Sequence, residues 1–97
     1  MKTYIALCHF TDQGMRSVKD TTQRADAVME LAKKFGARMR QLYWTSGQYD
    51  LVAVIDAGDE ESANAFGLSI GAAGNIRAEM LRAFSKDDMN VILGKMA

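Results

Sequence analysis

Hydrophobic and polar positions along the chain follow two spacings, one of period two and one of helical period. Thr3 to Phe10 (TYIALCHF) is rich in strand formers and apolar on both faces. The polar stretch from Thr11 to Asp20 connects it onward, with a helical turn around Met15 and Val18. Ala25, Val28, Met29, Ala32 and Phe35 then fall on one stripe of a helix. Asp20 with Gln23 reads as a capping box at its start, and Gly36 as its left-handed stop. Arg38–Thr45 and Asp50–Ala57 read as strands, and the short Ser46-Gly47-Gln48-Tyr49 connection makes them a hairpin. Asp59 caps a second long helix, with Glu60 and Glu61 at its positive end. Ala63, Phe66, Ile70 and Ala73 form the inner stripe of that helix, and Gly74 stops it. Asn75–Phe84 is a fourth strand. Ser85 with Asp88 caps a terminal helix whose apolar face is Met89, Ile92, Leu93 and Met96, with Phe84 placed to pack on Met89.

The order β-α-β, β-α-β plus a tail helix predicts one α+β domain over residues 1–97. The expected architecture is ferredoxin-like βαββαβ, with an antiparallel sheet in the order 4-1-3-2 and helices on one face. A sheet covered on one side should alternate apolar and polar residues. The first and third strands, central in this order, do not. Ile5 and Leu7 oppose Tyr4, Ala6 and Phe10; Val52 and Val54 oppose Leu51, Ala53 and Ile55. An apolar patch of this kind invites association, so a homodimer paired sheet to sheet is expected. The alternative is that the tail helix folds across the open face.

Composition bounds the function. Twelve basic residues balance twelve acidic ones, which argues against a nucleic-acid binder driven by phosphate neutralisation. The densest basic cluster, Lys33, Lys34, Arg38 and Arg40, reads as a solvated face. The single cysteine, Cys8, excludes an internal disulfide and fits a reducing compartment. The apolar stretch near the start is too short to span a membrane and lacks a cleavage signal. A cytoplasmic protein without nucleic-acid or membrane partners is the expectation.

The stretches YIALCHFTDQGMRSVKD, YWTSGQYDLVAVIDAGDEESA and GNIRAEMLRAFSKDD resemble the GYD-domain proteins, named for a Gly-(x)-Tyr-Asp signature. Here the signature is Gly47-Gln48-Tyr49-Asp50. Phe10-Thr11-Asp12-Gln13-Gly14, Tyr43-Trp44-Thr45 and Gly74-Asn75-Ile76-Arg77 are also similar to the family, and the likeness runs over nearly the whole chain. The resemblance implies a dimeric α/β barrel and transfers no established reaction.

The topology gathers candidate site residues at one sheet edge: His9, Trp44, Gly47, Tyr49, Asp50, Asn75 and Arg77. The first long helix also begins there and offers free amides to an anion. His9 and Asp50 are the candidates for proton transfer; Trp44, Tyr49, Asn75 and Arg77 are the candidates for holding a ligand. Each has a plainer role available. Tyr49 covers the rim, Asp50 closes the turn on backbone amides, Trp44 belongs to the core, and Arg77, on one face of the fourth strand with Glu79, pairs across the dimer interface. His9 is as well explained as a satisfied rim residue as a general base. Cys8 and His9 point to opposite faces, so they do not chelate one metal, and no metal or other cofactor is implied. The glycines of FGLSIGAAGN lie within and after a helix rather than before one, which excludes a phosphate loop.

Three functions fit these residues. The favoured one is a small-ligand-binding homodimer with its pocket between sheet and helices, near the Gly47-Tyr49-Asp50 hairpin. The second is a cofactor-independent oxygenase or isomerase acting on a small organic substrate through His9 and Asp50. The third is an assembly or regulatory module without chemistry.

Overall fold

The strands predicted from alternation form a single sheet in the computed structural model, which describes residues 1–97. The strands are β1 (Lys2–Phe10), β2 (Ala37–Trp44), β3 (Leu51–Ala57) and β4 (Ile76–Ala83). Their order is β2-β3-β1-β4, and every neighbouring pair is antiparallel. The helices are α1 (Asp12–Arg16), α2 (Thr21–Lys34), α3 (Glu60–Ala72) and α4 (Lys86–Gly94), with a 3-10 turn at Val18–Asp20. This is the expected α+β, ferredoxin-like arrangement.

Side-chain parity decides where the core sits. Tyr4, Ala6 and Cys8 of β1 lie opposite Ile55, Ala53 and Leu51 of β3, and all six are buried. Alternate residues reach one face, so the other face receives Ile5 opposite Val54 and Leu7 opposite Val52. α2 and α3 cover the first face. Ala32 and Ala57 have no exposed surface and Ala63 only 1%, so backbones approach closely there. Phe66 of α3 is fully buried, with Phe35 beside it at 5.9 Å between ring centroids.

Helix ends follow local chemistry, with one departure. The Asp59 carboxylate accepts the Ser62 amide at 2.7 Å, which holds its pKa below the ordinary carboxylate value. The capping box at α4 is complete: Ser85 Oγ accepts the Asp88 amide while the Asp88 carboxylate accepts the Ser85 amide. The box expected from Asp20 and Gln23 does not form. Asp20 ends the 3-10 turn with φ −92° and ψ 5° and makes no side-chain cap, because it lacks the extended backbone that aims a capping side chain. On α2 the inner stripe takes Leu31 rather than Met29, which is 38% exposed.

β2 carries an irregularity between Met39 and Gln41, where the register against β3 shifts by one residue. The extra residue, Arg40, holds Asp56 of β3 at 3.2 Å. α4 does not fold across the open sheet face. No residue of it is buried, Met89, Ile92 and Leu93 stay partly uncovered, and the molecule extends 51 Å along its longest axis.

Candidate functional site

Between the sheet and helices α2 and α3 lies a cavity of about 110 Å³. Fifteen of its nineteen lining residues are hydrophobic, so its contents must present mostly carbon. Its walls come from the centre of the sheet (Ala53, Ile55), the inner stripe of α2 (Val28, Leu31) and the end of α3 (Ile70, Ala73). Small side chains at Ala6, Ala25 and Ala78 leave the room. The polar lining is confined to Thr21, Arg24, Ser69 and Asn75, and Cys8 also lines the space.

Most of those polar groups are already engaged. The Thr21 hydroxyl accepts from Trp44 Nε1 at 3.0 Å. Ser69 donates to the Ala65 carbonyl at 2.8 Å. The Asn75 side-chain oxygen accepts from Gln13 Nε2 at 3.1 Å. Cys8 is buried, and burial pushes its pKa up to about 11, because a thiolate loses its hydration there. At neutral pH it is a small uncharged wall residue.

Arg24 differs. Its Nη1 donates to the Ser17 carbonyl at 2.6 Å and the Ser17 hydroxyl at 2.8 Å, and its Nη2 donates to the Gly14 carbonyl at 3.1 Å. Its Nε–H is buried and has no partner. Neither of the chain's two ion pairs, Lys33–Glu30 and Arg40–Asp56, involves it. The other buried polar atom without a partner is the Tyr4 hydroxyl, which does not border the cavity. Burial raises the Tyr4 pKa, and the Glu60 charge adds to the effect.

A clasp of loops positions Arg24. The Thr11 amide donates to the Asn75 carbonyl at 3.1 Å, and the Thr11 hydroxyl donates to the Gly74 carbonyl. That same hydroxyl accepts the Gly14 amide at 3.1 Å, capping α1. Gln13 reaches across to the Ala73 carbonyl. The segments Phe10–Gly14 and Gly74–Arg77 are thereby fastened together, and the guanidinium is tied to the first of them.

The structure divides the residues expected at one edge between two places. Trp44 and Asn75 stand at the cavity, Asn75 on its lining and Trp44 bonded to Thr21 of the lining. His9 and Arg77 face each other across the β1–β4 ladder, on the open side of the sheet away from the cavity. The His9 ring packs on Tyr49, 5.0 Å between centroids. Asp50 continues the sheet: its carboxylate accepts the Phe10 amide at 2.8 Å and its own amide donates to the Cys8 carbonyl at 2.9 Å. No hydrogen bond joins His9 to Asp50. The hairpin is closed by Thr45, whose amide donates to the Asp50 carbonyl and whose hydroxyl donates to the Tyr49 carbonyl. Gly47 takes φ 138°, a conformation open to glycine and strained for other residues. Nowhere do three or more His, Cys, Asp or Glu side chains gather to hold a metal ion, and no helix is long and apolar enough to cross a membrane.

Arg24 is absent from the residues the sequence singled out. A signal was present. Thr21, Arg24, Val28 and Leu31 are spaced along one helical face, and a cation within an otherwise apolar inner stripe is unusual.

Comparison with known proteins places the chain. It is 30% identical over 90 residues to a Thermus thermophilus protein named glutamine synthetase and cystathionine beta-lyase binding protein, covering 92% of this chain and 95% of that one. A crystal structure of a protein from Thermus thermophilus superposes with a TM-score of 0.57 at 24% identity, over 88% of this chain and 95% of the other. That likeness extends to the fold. The family model described as the GYD domain matches residues 4–93. With Gly47, Tyr49 and Asp50 shaping the hairpin beside β1, the chain belongs to the GYD domain family.

Proposed function

We propose that the protein is a homodimeric binding protein that holds a small organic molecule between its sheet and helices. The cavity carries this reading: a mostly hydrophobic space of about 110 Å³ with its few polar groups on one side, the pattern of a pocket that sorts ligands by shape and orients them by one or two contacts. A space this size suits a molecule near benzene in bulk. Cys8 offers a direct test, since it is the one cysteine and lines the space. In a screen of small metabolites, a genuine ligand raises the melting temperature and slows modification of Cys8 by methyl methanethiosulfonate. Failure of every compound to do either overturns the reading.

The dimer rests on the open sheet face. Ile5, Leu7, Val52 and Val54 form an apolar centre there. Around it stand charges of both signs, with Arg40 bound to Asp56 at one side and Arg77 and Glu79 on β4 at the other. An apolar centre with a charged rim is the anatomy of a protein interface, and mixed charge lets such a surface meet its own copy. Light scattering is expected to give twice the chain mass at micromolar concentration, and Val54→Asp to give the monomer mass with unchanged circular dichroism. A monomeric parent protein refutes the pairing.

A second reading has its own support. The Thermus relative is named for binding two enzymes, so the same open face is available to a different protein. The scattering experiment separates the readings, because a surface reserved for another protein leaves the isolated chain monomeric.

A further inference from the structure

We propose that the cavity selects small apolar monocarboxylates, an aromatic or branched acid whose carboxylate is received by Arg24. This assignment of ligand class rests on the small-molecule reading above.

The argument begins with the donors of one side chain. A guanidinium carries five N–H groups and cannot give up its charge. Three hydrogen bonds hold Arg24, two from Nη1 and one from Nη2. One N–H on Nη2 and the buried Nε–H remain. Nε and Nη2 form the side edge of the guanidinium, the planar fork that matches a carboxylate with two parallel hydrogen bonds. All three acceptors already bound are neutral backbone or hydroxyl oxygens, so the positive charge is held in place with no anionic side chain paired to it. Arg24 is half-buried, and a cation held at an apolar wall is a ready partner for an anion.

The rest of the lining narrows the choice. Arg24 is the one charged residue among the nineteen, so a single negative charge balances the site and an amine is repelled. Thr21, Ser69 and Asn75 each spend one hydrogen-bonding group within the protein, which leaves the Thr21 hydroxyl hydrogen and the Asn75 amide as the few other donors. A sugar or nucleotide, which must satisfy many hydroxyl or phosphate oxygens, finds too few partners. An inorganic anion leaves the hydrophobic space unfilled. A planar carboxylate on a body about the size of a benzene ring meets both demands.

The geometry also explains why the loops are clasped. Arg24 is oriented by Ser17 and Gly14, and Gly14 is fastened through Thr11 to Gly74 and Asn75. The guanidinium is therefore held in one orientation before a ligand arrives, which lowers the ordering cost of binding.

The test uses the intact chain and matched probes. Benzoate, phenylacetate and isovalerate are titrated by calorimetry beside benzyl alcohol, benzylamine and inorganic phosphate, with Cys8 modification followed for each. At least one carboxylate is expected to bind and protect Cys8, at least tenfold more tightly than the alcohol, amine or phosphate. Arg24→Met, which removes the charge, with its fold checked by circular dichroism, is expected to lose that tenfold preference while still admitting the neutral alcohol. If neutral and acidic probes bind alike and both protect Cys8, the pocket is real and the carboxylate assignment is overturned. If phosphate binds as well as the acids, the assignment is likewise overturned. If no probe of any charge protects Cys8, the small-molecule reading itself falls. Retention of the acid preference by a folded Arg24→Met protein, or by Arg24→Gln as a second variant, removes Arg24 from the role.

Discussion

Phe66→Ala is expected to destabilise the domain by about 3–5 kcal/mol, the range for truncating a buried aromatic in a packed core. Phe66 has no exposed surface. The other inward residues of α3 are mostly small, so this ring supplies much of the apolar area fixing the helix to the sheet. Its neighbour Phe35, with centroids 5.9 Å apart and planes tilted by 43°, sits at the end of α2. Removing the ring therefore loosens both helices where they meet. For a 97-residue chain such a loss is a large fraction of a total near 5–15 kcal/mol. Urea denaturation of both proteins measures it. A loss below about 0.5 kcal/mol, within the range of an ordinary surface change, shows that the core does not hinge on this ring.

Gly14→Ala is expected to cost about 2–3 kcal/mol, although the residue lies in a helix. Helix propensity alone argues for a gain of roughly 1 kcal/mol on replacing glycine with alanine. The surroundings reverse the sign. A β-carbon on Gly14 stands 2.1 Å from the Asn75 carbonyl oxygen and 3.0 Å from the Asn75 carbonyl carbon. Both are backbone atoms, so no side-chain rotation relieves the overlap, and forced shifts in a packed region cost about 1–3 kcal/mol or more. The shift must part α1 from the start of β4, against the Thr11 hydrogen bonds to Gly74 and Asn75. The same movement displaces the Gly14 carbonyl that holds Arg24. The variant is thus expected to lose stability in urea and to weaken carboxylate binding in the surviving folded fraction. A variant as stable as the parent refutes the close approach.

How far the sequence revealed the molecule depended on whether a signal was periodic or depended on a contact between distant residues. The succession of strands and helices placed β1 and β3 in the middle of the sheet, and their apolarity on both faces marked the face that the helices leave open. Gly36, Asp59 and the Ser85–Asp88 pair marked helix ends through local chemistry. Asp20 misled because the capping pattern was intact, while the preceding 3-10 turn set the wrong backbone angles. The candidate site was harder to read. Parity already put His9 with Ile5 and Leu7, yet closeness to one sheet edge grouped it with Trp44 and Asn75, which the sheet separates from it. Arg24 was missed because a charged helix residue is ordinarily solvent-facing. Its role depends on carbonyls seven and ten residues earlier, contacts that no spacing rule predicts.

The irregularity at Arg40 bears on how copies of this chain can meet. β2 is an outer strand, and a flat outer strand is a template on which another chain can extend the ribbon without limit. A bulge bends that border, and the exposed Arg38 adds a cation along it. Lateral growth toward fibres is thereby discouraged, and any self-association is steered onto the broad surface, where contact ends in a closed, finite particle.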